Sequence, residues 1–97
     1  MEKKPAVYIL ANRRNGTLYI GVTSDLIKRV WLHKADLSEG FSKEHGTRLL
    51  VYYEIHQTMR NAILREKQLK KWNRAWKIRI IEKRNPYWRD LFEDLIP

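Results

Sequence analysis

Ninety-seven residues make one domain and leave little room for a second core, so catalysis and recognition would have to share one surface. The absence of cysteine excludes disulfides, thiolate chemistry and cysteine zinc sites, and no apolar run approaches the roughly 20 residues of a membrane span. The formal charge of +9 is confined to Arg60–Arg89, which holds eleven Lys or Arg against two acids, Glu66 and Glu82, while the rest of the chain sums to zero; a polyanion is the natural partner for such a segment.

Val7–Ala11 and Leu18–Val22 are apolar, β-branched and aromatic runs on either side of Asn15-Gly16, a dipeptide suited to a two-residue type I′ turn. In that hairpin, residues whose numbers sum to 31 face one another. Tyr8, Leu10, Asn12, Tyr19 and Gly21 then share one side and Val7, Ile9, Ala11, Leu18, Ile20 and Val22 the other. The second set is wholly apolar and is assigned to the core, which leaves the tyrosine side as the working surface. Ser24 and Asp25 offer N-caps to a helix over 26–34, with Ile27, Val30 and Trp31 apolar and Arg29 and His33 four apart on one face.

Residues 35–46 are polar with two glycines and read as a connecting loop. Leu49–Ile55 is a third strand. Thr58 caps a helix reaching about Trp72, with Ala62, Ile63, Leu69 and Trp72 as its buried stripe. A further helix covers 75–83 after a bend near Asn73. Asn85-Pro86 is then a cap and first-turn pair for a last short helix carrying Trp88, Leu91, Phe92 and Leu95 at i, i+3, i+4 and i+7. Aromatics are interleaved with cations in this half of the chain, as in single-strand binders; Trp72, Trp76 and Trp88 are assigned mainly to the core and the Lys and Arg to phosphates. The expected architecture is α/β of the α+β type, a three-stranded antiparallel sheet flanked by helices. It forms a single domain over residues 1–97, with a core at about 5–83 and a helical tail at 84–97.

Several of these residues could serve phosphodiester cleavage, which needs an activated water, positive charge at the crowded phosphorus and help for the leaving oxygen. Glu66, isolated among cations, is by residue type either a salt-bridge partner or a metal ligand. The three histidines lie in separate elements without zinc-ligand spacing. Val7-Tyr8-Ile9, then Gly16-Thr17-Leu18-Tyr19-Ile20-Gly21, then Asp25 through Arg29 to His33, then Arg65-Glu66, resemble the pattern of the GIY-YIG nucleases, with Val7 in place of the first glycine. Residues 67–72, 76–78 and 85–91 are similar to segments of the small stand-alone bacterial members.

The resemblance implies a metal-dependent DNA endonuclease, with DNA preferred to RNA. Single-stranded or branched DNA is favoured, since a compact site without a groove-reading module has few ways to engage intact duplex by sequence. The resemblance also implies Tyr8 as general base, Tyr19 positioning phosphate or water, Arg29 gripping phosphate, His33 assisting proton transfer or binding phosphate, and Glu66 holding one Mg²⁺ or Mn²⁺. A tyrosine with an ordinary pKa near 10 would need a cation, the metal or Arg29, to lower it. Lys28, Lys70, Lys71, Arg74 and Lys77 are the cations assigned to the nucleic-acid backbone. Asn85 matches an asparagine that some members place near the metal, although helix capping also accounts for it; His45 and His56 are candidates by residue type alone. The alternatives are a binding module of the same fold that does not cut, and a basic face that docks on an acidic protein. The expected setting is the cytoplasm, without membrane association, as a monomer or weak homodimer.

Overall fold

The computed structural model describes residues 3–37 and 40–96. Its first strand, β1 (Ala6–Ala11), has no charged side chain and is buried at every position. A run of that kind suits a central strand covered on both faces. The sheet order is β2-β1-β3, all antiparallel, with β2 at Leu18–Thr23 and β3 at Leu49–Ile55.

Two apolar clusters form, one on each face of the sheet. Val7, Ile9, Ala11 and Ile20 pack with Val51, Ala62, Leu69, Ile81 and Trp88. Tyr8 and Leu10 pack with Leu26, Val30, Leu50 and Leu95. The tyrosine side of the hairpin is therefore not an open surface. It lies beneath α1 (Leu26–Lys34) and the C-terminal α5 (Phe92–Leu95), while α3 (Met59–Lys71) and α4 (Arg74–Arg84) supply the opposite layer. Alternation alone had suggested one wet face; the unbroken apolarity of β1 is the signal for two covered ones.

The hairpin also differs at its turn. Residues 12–17 form the connection, with Asn12 Oδ1 accepting from the Thr17 amide at 2.9 Å and the Gly16 amide donating to the Arg13 carbonyl at 3.0 Å. Asn15 is left-handed (φ 57°) but Gly16 is not, so this is no type I′ turn. Paired residues sum to 29, and Tyr8 faces Gly21. A shift of two residues leaves every side chain on its expected face, because strand side chains alternate with period two.

α1 has the expected span, and Asp25 caps it by accepting from the Lys28 amide. Its buried residues are Leu26, Val30 and His33, whereas Trp31 is exposed, contrary to the expected stripe. The predicted loop contains a short helix, α2 (Phe41–His45); residues 38–39 of that stretch lie outside the described residues. Thr58 and Asn73 cap α3 and α4, and the bend falls at Trp72-Asn73. Of the stripe expected on α3, Ala62 and Leu69 are fully buried and Ile63 and Trp72 are half-buried.

The tail departs most from expectation. Asn85 ends α4 rather than starting a helix, and only Phe92–Leu95 is helical beyond it. Trp88, held left-handed (φ 57°), packs in one cluster, while Leu91, Phe92 and Leu95 pack in the other. The segment wraps around the β3 edge to reach both. Asp90 Oδ1 accepts from the Leu50 amide (3.2 Å), the Leu91 amide donates to the Leu50 carbonyl (2.8 Å), and Lys34 pairs with the Asp90 carboxylate. These contacts cover backbone groups that an edge strand would otherwise expose. Among the described residues no helix is long and apolar enough to cross a membrane.

Candidate active site

The sheet and α1 bring four of the sequence-predicted residues into one cluster. Tyr8 projects from the central strand, Tyr19 from β2, and Arg29 and His33 from successive turns of α1. The Tyr8 hydroxyl lies 3.1 Å from His33 Nε2, and Arg29 Nε donates to it at 3.4 Å. The Tyr19 ring lies against both, with its centroid 6.2 Å from that of Tyr8 and 5.2 Å from that of His33. Tyr8 and His33 are buried, with exposures of 1% and 2%.

Gly21 makes this packing possible. A Cβ at that position would stand 2.4 Å from the Tyr8 hydroxyl oxygen and 2.5 Å from Cζ. The Tyr8 ring therefore lies across the bare backbone of the residue it pairs with. A two-residue error in register had hidden this relation in the sequence.

Burial pushes the Tyr8 phenol up to about 12, although its hydrogen bond with Arg29 pulls the other way. Arg29 alone thus does not produce the lowered tyrosine pKa that base catalysis needs. Burial, helped by the positive charge of Arg29, holds His33 down to about 4. At neutral pH the resting pair is a phenol and a neutral imidazole. Arg29 can only donate, so the Tyr8 oxygen accepts from it, and the direction of the Tyr8–His33 hydrogen bond follows the imidazole tautomer. Both shifts disfavour moving the phenol proton onto His33, since burial penalises the phenolate and the imidazolium alike.

Two cavities flank the cluster. One, of about 340 Å³, is lined by Lys3, Thr23, Ser24, Asp25, Lys28, Arg29 and Leu32. The other, of about 290 Å³, is lined by Leu18, Tyr19, Ile20, Lys70 and Lys77. The second joins the tyrosines to the basic helices around the β2 edge, although α3 packs on the opposite face of the sheet. Glu66 lies on α3 one turn from Lys70, with its carboxylate 3.5 Å from the Lys70 ammonium and its side chain 15% exposed. Among the described residues no three His, Cys, Asp or Glu side chains gather as a metal site. A single carboxylate of this kind fits Mg²⁺ or Mn²⁺, which keep most of their waters, and does not fit zinc.

The remaining candidates lie apart from the tyrosine cluster in role. Lys71 is exposed on α3, and His45 is exposed on α2. His56 pairs with Glu54 at 3.1 Å. Arg74 donates to the Asn15 and Gly16 carbonyls at 2.7 and 2.6 Å, tying α4 to the hairpin connection. Asn85 is buried. Its Nδ2 donates to the Val51 and Arg89 carbonyls (3.1 and 2.9 Å), and its Oδ1 accepts from the Arg89 amide (3.0 Å). Val51 is the extra residue at an irregularity in the β1–β3 pairing, so Asn85 satisfies a carbonyl at a break in the ladder. Asn85→Ala is expected to cost about 3 kcal/mol, because it strands buried backbone groups. That is a drop of about 10–20 °C in melting temperature for a domain of this size. Activity per folded molecule should be unchanged, as parallel melting and cleavage assays would show. Asp90, which sequence reasoning did not single out, is the other half of this clamp; its signal was the Asn-Pro-x-Trp-x-Asp-Leu run taken as a unit.

The family model described as the GIY-YIG catalytic domain matches residues 4–79. A UPF0213 protein of Bacillus pumilus is 32% identical over 82 residues, covering 84% of this chain and 84% of the relative. A UPF0213 protein of Staphylococcus haemolyticus is 32% identical over 81 residues, covering 84% of this chain and 98% of the relative. One from Staphylococcus aureus is 33% identical over 70 residues, with 72% and 85% covered. No solved structure gives a significant match. With that domain matched over most of this chain and these relatives matched along most of their own length, the chain belongs to the GIY-YIG family of nuclease domains.

Proposed function

We propose that the protein is a metal-dependent endonuclease that hydrolyses DNA phosphodiesters, with single-stranded or branched DNA favoured. The observation that carries this reading is the Arg29–Tyr8–His33 hydrogen-bonded chain, with Tyr19 beside it, set between two cavities bearing lysines. A guanidinium has five N–H donors, so Arg29 can bond Tyr8 and still grip a phosphate oxygen. Its fixed charge then faces the negative charge that grows at phosphorus. Tyr19 supplies a hydroxyl at the cavity wall to orient the phosphate or the attacking water.

Tyr8 is the proton acceptor once its phenol has ionised, and His33 Nε2 and Arg29 Nε hold its oxygen in place. Glu66 would hold Mg²⁺ or Mn²⁺. A bound divalent cation supplies an acidified water and positive charge against the phosphate. Lys28, Lys70, Lys71 and Lys77 track the backbone.

The test is cleavage of labelled single-stranded, duplex and branched DNA, with an RNA control, in Mg²⁺ or Mn²⁺ against EDTA. Cutting should require the cation. Glu66→Ala should raise the half-saturating cation concentration by at least the roughly 10- to 100-fold that losing even an outer-sphere partner costs, with binding retained. Binding without cutting on every substrate would instead identify a non-catalytic module.

A further inference from the structure

We propose that Trp72 and Trp76, at the corner between α3 and α4, form a stacking subsite for an unpaired nucleobase of the bound strand, with Arg79 and Lys83 on its phosphates. This rests on the nucleic-acid reading above and adds a second contact region to it. The sequence assigned Trp76 to the core, but it is 48% exposed. The two indoles meet edge to face, with centroids 5.7 Å apart and planes at 86°. Together with Arg79, Ile80 and Lys83 they line a cavity of about 320 Å³.

Trp76, Arg79, Ile80 and Lys83 follow one another at i, i+3, i+4 and i+7, so they share one face of α4. The fully buried residue of that helix is Ile81. Trp72 is already held in place for such a role. The Arg65 guanidinium sits 5.1 Å from its ring centroid, and Glu54 grips Arg65 through Nε and Nη2, both at 3.0 Å. Two indoles and Ile80 lining one cavity make an apolar patch suited to a partner, and Arg79 and Lys83 in the same lining select an anionic one. Rings flanked by Lys and Arg suit single strands, whose bases stack while their phosphates are neutralised.

The subsite also connects to the tyrosine cluster. Lys77, the next residue after Trp76, lines the cavity that opens beside Tyr19, together with Lys70. α4 therefore presents Lys77 to the cavity beside Tyr19, and Arg79 and Lys83 to the indoles. A strand passing Tyr19 would cross α4 and bring a base a few nucleotides away onto the indoles. Duplex DNA keeps its bases stacked and could not use the site, which gives the preference for unpaired DNA a structural origin.

The experiment measures binding in EDTA, where cutting does not interfere, using a fluorescent oligothymidine and an abasic strand of the same length. Base stacking is worth about 5- to 150-fold in affinity, so Trp76→Ala should weaken oligothymidine binding about tenfold or more. The same variant should leave the abasic strand within about twofold, and Trp76→Phe should keep most of the affinity. Equal weakening on both strands, no weakening on either, or loss of a concentration-dependent dimer in Trp76→Ala would overturn the subsite, the last in favour of a second copy of the chain. A wild type that shows this binding pattern but never cuts in Mg²⁺ or Mn²⁺ would overturn the nuclease reading and leave the subsite standing.

Discussion

Tyr8→Phe is expected to lower the cleavage rate by about 10²- to 10⁴-fold, the range ascribed to a single general base, with strand binding and fold retained. The substitution suits the site because a phenylalanine ring fills the same space across Gly21 and loses only the hydroxyl that meets His33 and Arg29. The pH profile carries a second part of the prediction. With the phenol pushed up to about 12, its ionised form is scarce at neutrality and grows tenfold with each pH unit. The logarithm of kcat/KM should therefore climb with a slope near one as pH rises from about 6, until the loaded site reaches its own lowered pKa. His33, held down to about 4, should add no inflection near its ordinary value of 6.5. A break at 6.5 that vanished in His33→Gln would assign the base to the histidine instead. A Tyr8→Phe protein as fast as wild type would remove the tyrosine from the chemistry altogether.

Much of this site is legible in the chain, and the parts that are not share a physical reason. Tyr8 and Tyr19 fall on one face whatever the turn length, provided the register shifts by an even number. The spacing of Arg29 and His33 survives because a nine-residue helix fixes it. What pattern reading cannot supply is which faces meet. Asn15-Gly16 reads as a tight turn, yet Asn12 and Arg74 stabilise a longer connection, and Arg74 is 58 residues away from Gly16 in sequence. The tail has an i, i+3, i+4, i+7 stripe, yet its residues serve two clusters on opposite faces, because Asn85 and Asp90 fasten the segment to the β3 edge as it crosses over. Trp76 reads as core by residue type, yet it lies about 140° around α4 from Ile81, the residue that helix buries. Local spacing is visible in a sequence, but the long-range hydrogen bonds that redirect it are not.

Gly21→Ala should lower stability and cleavage together. Gly21 does not need positive φ, so a strand residue there would ordinarily gain from the change by about 0.5–1 kcal/mol. Steric contact reverses that sign. The new methyl would sit 2.4–3.0 Å from three atoms of the Tyr8 phenol, and the ring, packed with Leu26 and Val30 on its other side, has no space to retreat. Overpacking of this kind costs about 1–3 kcal/mol, or roughly 5–20 °C in melting temperature. The hydroxyl would also leave His33 and Arg29, so cleavage should fall at least as far as in Tyr8→Phe. Tyr8→Phe cannot rescue the variant, because Cζ itself lies 2.5 Å from the added methyl. Tyr8→Ala removes the whole ring and can. In a double-mutant cycle followed by urea unfolding, Gly21→Ala should therefore be costly beside Tyr8 and nearly neutral beside Ala at position 8. Additive costs would place the strain elsewhere and leave Gly21 as an ordinary strand glycine. Coupling would mean that the glycine of β2 is retained because the tyrosine of β1 must lie across it, which makes that cross-strand pair a steric condition of the chemistry.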